Sequence, residues 1–435
     1  MLLIFIKDVS QFSEELNEVN NIIYCHGALP VGILIPGNRI RLGLFGSFYP
    51  FVDRLSTTTT GLVTLLGMSD KVESLFVFCP TNSSMPAAVE IPKIKLIPSW
   101  KYDSVFSLIK TMYEMMKMRG VVDIYVFNIF LTSFGRSKVT NAIGLLIPTL
   151  ISRLSGKRVC TYLHNSIETQ DVEKLGYKDT WFVKKVASRL EWLIARNTLL
   201  IVPLKSQASI LESMFRTSVR SLAVPYVEGI NGFISNSNEN MEFGRWERRT
   251  FNYLLFGSWG PQKDLNGALK IFKEVLDEGH EIHVIVAGNA NSNFPHYTEE
   301  IERLIGLFPA PNIEWIKAVP EELVPALFLN SDVLFLPYRA AGGYSAVMNV
   351  GAFYGIKIVA YDIPELKEFD SMIKAGCTFV DSQQPDELKR VLISAAQESK
   401  IEKLTNTATM RSKLRASLDA VEDLIEMLIQ EINPS

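Results

Sequence analysis

The segment 331–366 constrains the fold of this chain more than any other part of its sequence. It reads SDVLFLPYRAAGGYSAVMNVGAFYGIKIVAYDIPEL. An apolar run stops at Pro337, a loop with Gly342 and Gly343 follows, and a run of small and apolar residues ends at Gly355, after which a second apolar run begins. This order of strand, glycine loop, helix and strand predicts a βαβ crossover in a parallel sheet.

The glycine loop of this segment lies where an anion can bind. A loop that leads into a helix N-terminus points backbone N–H groups outward, and the helix dipole adds to their positive potential. The pair Gly342-Gly343 would also suit a plain turn, because glycine adopts turn conformations without strain. With a helix directly after it, the loop indicates a phosphate- or nucleotide-binding α/β protein.

The same alternation of apolar runs and helix-length segments fills two parts of the chain. It occupies residues 39–230 and 250–382, and the polar, Asn-rich stretch 231–249 is interpreted as a linker. Such alternation predicts an α/β fold with two Rossmann-like, doubly wound parallel-sheet domains that face a cleft. Residues 1–38 are expected to form an extension on the first domain, and residues 383–435 to form helices that cross back to it.

Short apolar runs predict the individual strands of the first domain. The run that starts at Arg39 ends at a Gly46-Ser47 turn, and the polar stretch Ser56–Gly61 is predicted to open the helix that follows. The other strands are expected at Leu75–Phe78, Ile124–Phe127, Arg158–Leu163, Leu199–Val202 and Ser221–Val224.

Composition excludes several classes of protein. The net charge of −3 gives no general attraction to nucleic acid, so no nucleic-acid partner is expected. The four cysteines are scattered without metal-ligand spacing. No apolar stretch approaches the ~20 residues of a spanning helix, and the apolar start of the chain is shorter than a signal-peptide core. We therefore expect a cytoplasmic protein, either free or peripheral on the inner face of the membrane.

Three segments of the second half carry a resemblance to a known family. They are FGSWGPQKDLNGALKIF at 256–272, HVIVAGNA at 283–290, and the segment 331–366. In this order and spacing they resemble the GT-B fold glycosyltransferases of the large retaining group 1, or family 4, type. Gly257 and Lys263 match the glycine and lysine of the family's first motif, whereas Ser258 stands at its arginine.

The segment 331–366 also departs from the family. Members usually have two glutamates eight positions apart, and those positions are Gly342 and Val350 here. Ser345-Ala346-Val347 is similar to a Ser-Gly-Val variant found in some members. The resemblance implies a donor-binding set that these positions share with the first motif: Gly257, Ser258, Lys263, Gly342, Gly343, Tyr344, Ser345, Ala346 and Val347.

In the first half, TYLHNS at 161–166 resembles the family strand that ends in His-Asp. His164 stands at the histidine, which in the family lies in the cleft near the sugar, and Asn165 replaces the acid. The resemblance thus implies His164 and Lys263 as catalytic residues, with Gly46 and Ser47 on the acceptor side. Without it, a lysine near a helix start could be merely solvated, and a histidine at a strand end could be structural.

The resemblance implies transfer of a sugar from a nucleotide-diphosphate sugar to a glycan or lipid-linked acceptor, with retention of configuration. Lys263 and the N–H groups of Gly343–Ala346 could stabilise the negative charge of the leaving group without a metal. The sequence contains no Asp-x-Asp pair, so neither a metal nor another cofactor is expected. Two alternatives stay open: a catalytically degenerate GT-B binding or scaffold protein, and another GT-B enzyme such as a nucleotide-sugar epimerase.

Two basic and apolar stretches of the first half could contact a membrane. They cover residues 101–119 and 145–158. Such stretches could rest on an anionic bilayer. They would equally suit ordinary core-facing helices with a solvated basic face.

Overall fold

The computed structural model describes most of the chain, and it leaves both the predicted N-terminal extension 1–38 and the linker 231–249 outside the described residues. The described residues are 39–49, 54–86, 91–171, 173–175, 181–230, 251–291, 294–309, 312–320, 323–402 and 407–432.

The first domain is built on a sheet of seven parallel strands in the order β3-β2-β1-β4-β5-β6-β7. The central strands are mostly apolar and almost entirely buried, because helices cover both faces of the sheet. The strands are β1 Ile40–Phe45, β2 Val72–Pro80, β3 Ile94–Trp100, β4 Ile124–Ile129, β5 Arg158–Leu163, β6 Leu199–Val202 and β7 Val219–Ser221.

In the described part of this domain, five α-helices connect the strands. Helix α1 packs in one apolar core, and α2–α5 contribute to a second core on the other face of the sheet. Right-handed crossovers produce this division, since the chain moves outward to β3 and then returns to β4. The helices are α1 Arg54–Met68, α2 Val105–Lys117, α3 Lys138–Ser155, α4 Trp181–Asn197 and α5 Lys205–Phe215.

The second domain has six parallel strands in the order β10-β9-β8-β11-β12-β13. They are β8 Phe251–Phe256, β9 Ile282–Ala287, β10 Ile313–Ile316, β11 Val333–Leu336, β12 Lys357–Tyr361 and β13 Thr378–Val380. Its helices are α6 Leu265–Asp277, α7 Tyr297–Ile305, α8 Val324–Asn330, α9 Ala346–Tyr354, α10 Pro364–Ile373, α11 Pro385–Glu402 and α12 Thr407–Ile432. The predicted fold class, two doubly wound parallel-sheet domains, is confirmed.

The strand orders place the candidate loops at the centre of each sheet. Strand β1 lies between β2 and β4, and β8 lies between β9 and β11. In sheets of this kind, ligands bind where the direction of the strand order reverses, at the carboxyl ends of the strands. Gly46 directly follows β1, and Gly257 directly follows β8.

Three local predictions for the first domain were wrong. Strand β3 was not expected, because it lies at the sheet edge and its IKLIPSW sequence mixes exposed and buried positions. Strand β7 ends at Ser221, where the predicted strand began. The polar stretch Ser56–Gly61 lies inside α1, which already begins at Arg54. Threonine is accepted there because hydroxyls bond within the helix, as Thr59 Oγ1 does to the Leu55 carbonyl at 2.7 Å.

The last helix, α12, packs against the first domain. Its Glu426 accepts a 2.7 Å hydrogen bond from Lys71 Nζ, and Ser417 Oγ donates to the Pro225 carbonyl at 2.7 Å. Leu424 and Leu428 of this helix are buried in an apolar core that includes residues of both sheets. The two domains therefore share one continuous core on their facing sides.

Among the described helices, none combines the length and the apolar character that crossing a membrane requires.

Truncation of Leu428 should test the contribution of α12 to stability. Leu428→Ala removes a fully buried side chain from the shared core, so the free energy of unfolding should fall by about 2–5 kcal/mol. Chemical denaturation followed by circular dichroism would measure this change. The matched control is Leu307→Ala, since Leu307 is 58% exposed and its truncation should change stability by less than about 0.5 kcal/mol. Equal stability of the two variants would contradict the described packing of α12.

Candidate functional site

Two glycines at strand ends bring the backbones of the second domain into close contact. Gly257 follows β8 with φ +131°, and Gly288 follows β9 with φ +105°. A Cβ atom on Gly288 would overlap the carbonyl oxygen of Gly257. Only glycine tolerates both this backbone conformation and this separation, so the two strand ends pack backbone against backbone with no side chain between them.

The Lys263 side chain lies against Gly257 at the end of β8. A Cβ atom on Gly257 would overlap Lys263 Nζ, and it would lie 3.6 Å from Val347 Cγ2 in the first turn of α9. The lysine side chain is only 6% exposed, and its ammonium group lies 5.4 Å from the ring centroid of Trp259 and 4.7 Å from that of Tyr338. The structure therefore places a buried cation between a glycine-ended strand and a helix N-terminus, where an anion can bind.

The loop that carries Lys263 is fixed to the segment after β11. The N–H of Asp264 donates to the Pro337 carbonyl at 2.7 Å, and the N–H of Arg339 donates to the Gln262 carbonyl at 2.9 Å. The Asp264 carboxylate also pairs with Arg339 Nη2 at 2.9 Å and accepts the Gly267 N–H at 3.0 Å, which caps α6. Asp264 thus holds the loop in place.

The glycine loop of 331–366 touches the first domain. Gly343 has φ +154°, and a Cβ atom there would lie 2.7 Å from the carbonyl oxygen of His164. The Gly342 carbonyl accepts a 2.6 Å hydrogen bond from Gln170 Nε2. Ser345 caps α9, since its Oγ accepts the Met348 N–H at 3.1 Å. Ser345, Ala346 and Val347 are buried, so this end of α9 is enclosed by protein.

His164 lies at the end of β5, across the cleft from this loop. Its side chain is buried, and its ring centroid is 5.6 Å from that of Tyr344. Nε2 bonds to Asn128 Oδ1 at 2.6 Å, and Asn128 Nδ2 donates to Thr59 Oγ1 at 2.9 Å. Because the amide oxygen of Asn128 accepts, His164 Nε2 donates, and this fixes the orientation of the imidazole ring.

Gly46 and Ser47, the predicted acceptor-side residues, directly follow β1. A Cβ atom on Gly46 would lie 3.0 Å from Thr59 Cγ2 and 3.2 Å from the Asn128 carbonyl oxygen. Ser47 is buried and shares a short hydrogen bond with the Tyr102 hydroxyl. Gly46 therefore packs against Thr59 and Asn128, which hold His164, whereas the Ser47 hydroxyl bonds to Tyr102.

Glu228 is a buried carboxylate at the junction of the domains, in the helical residues 227–230. Its Oε1 accepts from Tyr344 OH at 2.5 Å and from Thr58 Oγ1 at 2.9 Å, and its Oε2 accepts a short hydrogen bond from Asn349 Nδ2. Burial raises the pKa of Glu228, and these donors act in the opposite direction. Tyr344 is thus tied to both domains through one carboxylate.

Glu191 is a second buried carboxylate, on α4 behind the loop that follows His164. Its Oε2 accepts from Ser166 Oγ at 2.6 Å, and its Oε1 accepts the Ile167 N–H at 2.7 Å. Burial raises the pKa of Glu191 to about 8 despite these hydrogen bonds. Glu191 therefore positions the loop that also carries Gln170, the partner of Gly342.

The predicted site residues form two groups that meet at the glycine loop. Of the predicted donor-binding residues, Gly257, Lys263 and Val347 lie together, and Ser258 is exposed next to them. The second group surrounds a narrow pocket between the domains, and its lining includes Thr58, Asn128, Tyr162, His164, Tyr344 and Phe369. Within the part of the chain that the structure describes, no three His, Cys, Asp or Glu side chains are grouped as metal ligands.

Sequence reasoning missed Glu228, Glu191 and Asn349. Glu228 lies in the short run PYVEGI beside the linker, where a single acid resembles an ordinary surface residue. Glutamate is rarely buried unless it has partners, and those partners come from distant parts of the chain. For Asn349, its place next to Val350 in a predicted helix was the only available signal, and it was too weak to indicate a role.

Two Rossmann-like domains with their glycine loops facing one cleft define the GT-B architecture, and solved structures share it. HepE of Anabaena, crystallised with UDP and glucose, has a TM-score of 0.59 at 10% identity, covering 90% of this chain and 99% of its own. Sucrose-phosphate synthase of Thermosynechococcus elongatus has a TM-score of 0.56 at 11% identity, covering 90% and 96%. WaaG, a glycosyltransferase involved in lipopolysaccharide biosynthesis, has a TM-score of 0.52 at 12% identity, covering 91% and 100%.

At the level of sequence, residues 236–411 match the family model described as glycosyl transferases group 1. This match, together with the shared fold, confirms the resemblance and the enzyme class drawn from the sequence, a glycosyltransferase. Among curated proteins, none matches the sequence of this chain.

Exchanging the Glu228 carboxylate and the Asn349 amide should show how much these two side chains stabilise each other. Asn349→Asp sets two buried carboxylates against each other, so the free energy of unfolding should fall by about 2 kcal/mol or more. The double variant Glu228→Gln/Asn349→Asp restores one amide and one carboxylate, and it should recover at least half of that loss. Denaturant titration of the single and double variants measures the coupling. Strictly additive effects would show that the two side chains do not interact.

Titration of Glu191 should make stability depend on pH. The folded-state pKa of about 8 lies above the ordinary value of 4.5, so the folded protein binds more protons between these values. Stability is therefore fully present below about pH 4.5 and falls as the pH rises toward 8. Glu191→Gln should flatten this part of the profile of melting temperature against pH. Exposed Glu299 provides the control, since Glu299→Gln should leave the wild-type slope unchanged.

Proposed function

We propose that this protein transfers a sugar from a nucleotide-diphosphate sugar to a glycan or lipid-linked acceptor, without a metal ion and with retention of configuration. The observation that carries the proposal is the buried Lys263 ammonium group, which lies against Gly257 and beside the first turn of α9. This arrangement supplies positive charge where the diphosphate leaving group would develop negative charge.

Lys263 and α9 would act together on the diphosphate. The lysine contributes a full charge that is already desolvated by Trp259 and Tyr338, and the N-terminus of α9 contributes its dipole. Because both are fixed before the ligand arrives, the reaction requires little reorganisation of protein dipoles. This is the physical basis for proposing catalysis that needs no metal.

His164 would act on the sugar rather than on the diphosphate. It lies on the first domain, close to the glycine loop, and its ring is held by Asn128 and packed near Tyr344. A ring in this position can hydrogen-bond a sugar hydroxyl and limit where the acceptor approaches. Gly46, at the end of β1, packs closely against Thr59 and Asn128, the residues that hold this ring.

The absence of the two family glutamates shapes this proposal. Gly342 and Val350 cannot bond to sugar or ribose hydroxyls through their side chains. Glu228 does not replace them, because its carboxylate is already engaged by Tyr344, Thr58 and Asn349. We therefore propose that recognition of the donor depends mainly on its diphosphate. Because HepE was crystallised with UDP-glucose, UDP-sugars are the first donors to test.

Replacement of Lys263 tests the proposed diphosphate contact. Lys263→Met keeps most of the side-chain volume but removes the charge, so the rate of sugar transfer or of donor hydrolysis should fall about 10²–10³-fold. Release of UDP or GDP from a panel of nucleotide-sugars would measure the rate. The matched control is Lys270→Met, because Lys270 is exposed on α6 and its loss should leave the rate unchanged. Equal rates in the two variants, with circular dichroism unchanged, would remove Lys263 from the mechanism.

The missing glutamates also favour a second candidate, a GT-B protein that binds a nucleotide-sugar without turning it over. Titration calorimetry separates the two. A scaffold would bind the donor in a manner that depends on Lys263, yet release neither nucleotide nor sugar on long incubation. An epimerase would convert the donor without any acceptor, which product analysis detects.

A further inference from the structure

Large apolar side chains that stay exposed are concentrated on three helices of the first domain. Phe106 is 80% exposed on α2, Val139 is 64% exposed on α3, and Trp181 is 73% exposed on α4. We call the solvent-facing side of α2, α3 and α4 the outer helical surface. Its other large exposed apolar side chains are Ile109, Tyr113, Leu150, Leu154 and Val186.

These three helices form one contiguous layer. Helix α2 packs against α3, and α3 packs against α4. Their opposite sides enter the core beneath the first sheet through residues such as Leu108, Ile151 and Ile194. The exposed apolar residues therefore face away from the sheet, and no described element covers them. A concentration of exposed apolar side chains on one layer of a folded domain indicates a site of interaction.

The same layer carries a strong excess of positive charge, although the whole chain is slightly acidic. The three helices contain eight lysines and arginines but only two acids. Of these two, Glu114 pairs with Lys117 at 3.2 Å, and Glu191 is buried behind the cleft loop. No Asp or Glu occurs from residue 124 to 167. The basic residues are Lys110, Lys117, Lys138, Arg153, Lys184, Lys185, Arg189 and Arg196.

Basic and aromatic groups are interleaved on this surface. Lys117 Nζ lies 4.3 Å from the ring centroid of Tyr113, and Lys185 Nζ lies 5.1 Å from that of Trp181. The Arg189 guanidinium lies 4.0 Å from the ring centroid of Trp192. Aromatic rings next to cationic heads suit the boundary between lipid headgroups and acyl chains, where rings enter the apolar layer and cations meet phosphates.

From these observations we infer that the outer helical surface docks the protein on an anionic lipid bilayer. An anionic membrane matches both properties of the surface, since it offers negative charge and an apolar interior at one place. A second copy of the same face is disfavoured, because two such faces would bring like charges together. Nucleic acid would leave Phe106, Ile109 and Trp181 without apolar partners. The sequence indicated the stretches on α2 and α3, and α4 adds Trp181 and four basic residues.

Vesicle co-sedimentation of the full chain tests this inference without donor or acceptor, so its outcome is independent of the proposed sugar transfer. The protein should pellet with vesicles that contain about one-third phosphatidylglycerol in phosphatidylcholine, and not with phosphatidylcholine alone. Binding should weaken markedly between ~50 and ~300 mM NaCl, because salt screens the surface charges. Equal pelleting with both vesicle types, or with neither, would overturn the inference.

Two double variants locate the contact. Lys184→Gln/Lys185→Gln should lower the partition coefficient about 30-fold, and Phe106→Ser/Trp181→Ser should lower it at least tenfold. The control Leu307→Ser/Lys270→Gln changes an exposed leucine and an exposed lysine of the second domain, and it should bind like the wild type. Melting temperatures confirm that each variant is folded. If the control loses binding equally, or if the surface variants instead abolish a dimer seen by light scattering, the bilayer is not the occupant.

Discussion

A single buried carboxylate determines how the two halves of the cleft meet. Glu228 accepts hydrogen bonds from Thr58 on α1, Tyr344 in the glycine loop and Asn349 on α9. These donors come from both domains, and in the sequence Glu228 lies just before the predicted linker 231–249. Because an unpaired charge or donor in this position would cost several kcal/mol, only one relative arrangement of the three segments satisfies all partners. The shared apolar core supports that arrangement but is less selective about register.

The chemistry of the cleft depends on this junction. Tyr344 bonds to Glu228 and packs near His164, so the junction fixes the distance between the histidine and the glycine loop. The loop continues into α9, whose first turn lies beside Lys263. The junction thereby fixes the position of His164 on the first domain relative to Lys263 on the second, and this does not require the two side chains to touch. Glu191 performs a related task for the loop that follows His164.

How much of the fold and of the site could be predicted depends on how far apart in the sequence the interacting residues lie. Parallel strands buried on both faces give continuous apolar runs, so most strands and the two-domain fold could be predicted. Strand β3 could not, because an edge strand lacks that signal. Gly257, Lys263 and Gly343 were indicated by local motifs, since a glycine turn and the helix after it are sequence neighbours. Glu228, Asn349 and Glu191 were missed, because their burial arises only when segments far apart in the chain come together.

The enclosure of Lys263 has a thermodynamic consequence for any ligand of this cleft. A lysine on the surface loses about 2 kcal/mol of rotamer freedom when it closes on a phosphate. Here the side chain is already confined between Trp259 and Tyr338, over a glycine that leaves it space. That entropy is lost when the chain folds, and none of it is subtracted from the affinity for an anion. The cost of ordering Lys263 therefore lowers the free energy of unfolding, and the affinity for an anion is higher by about the same free energy.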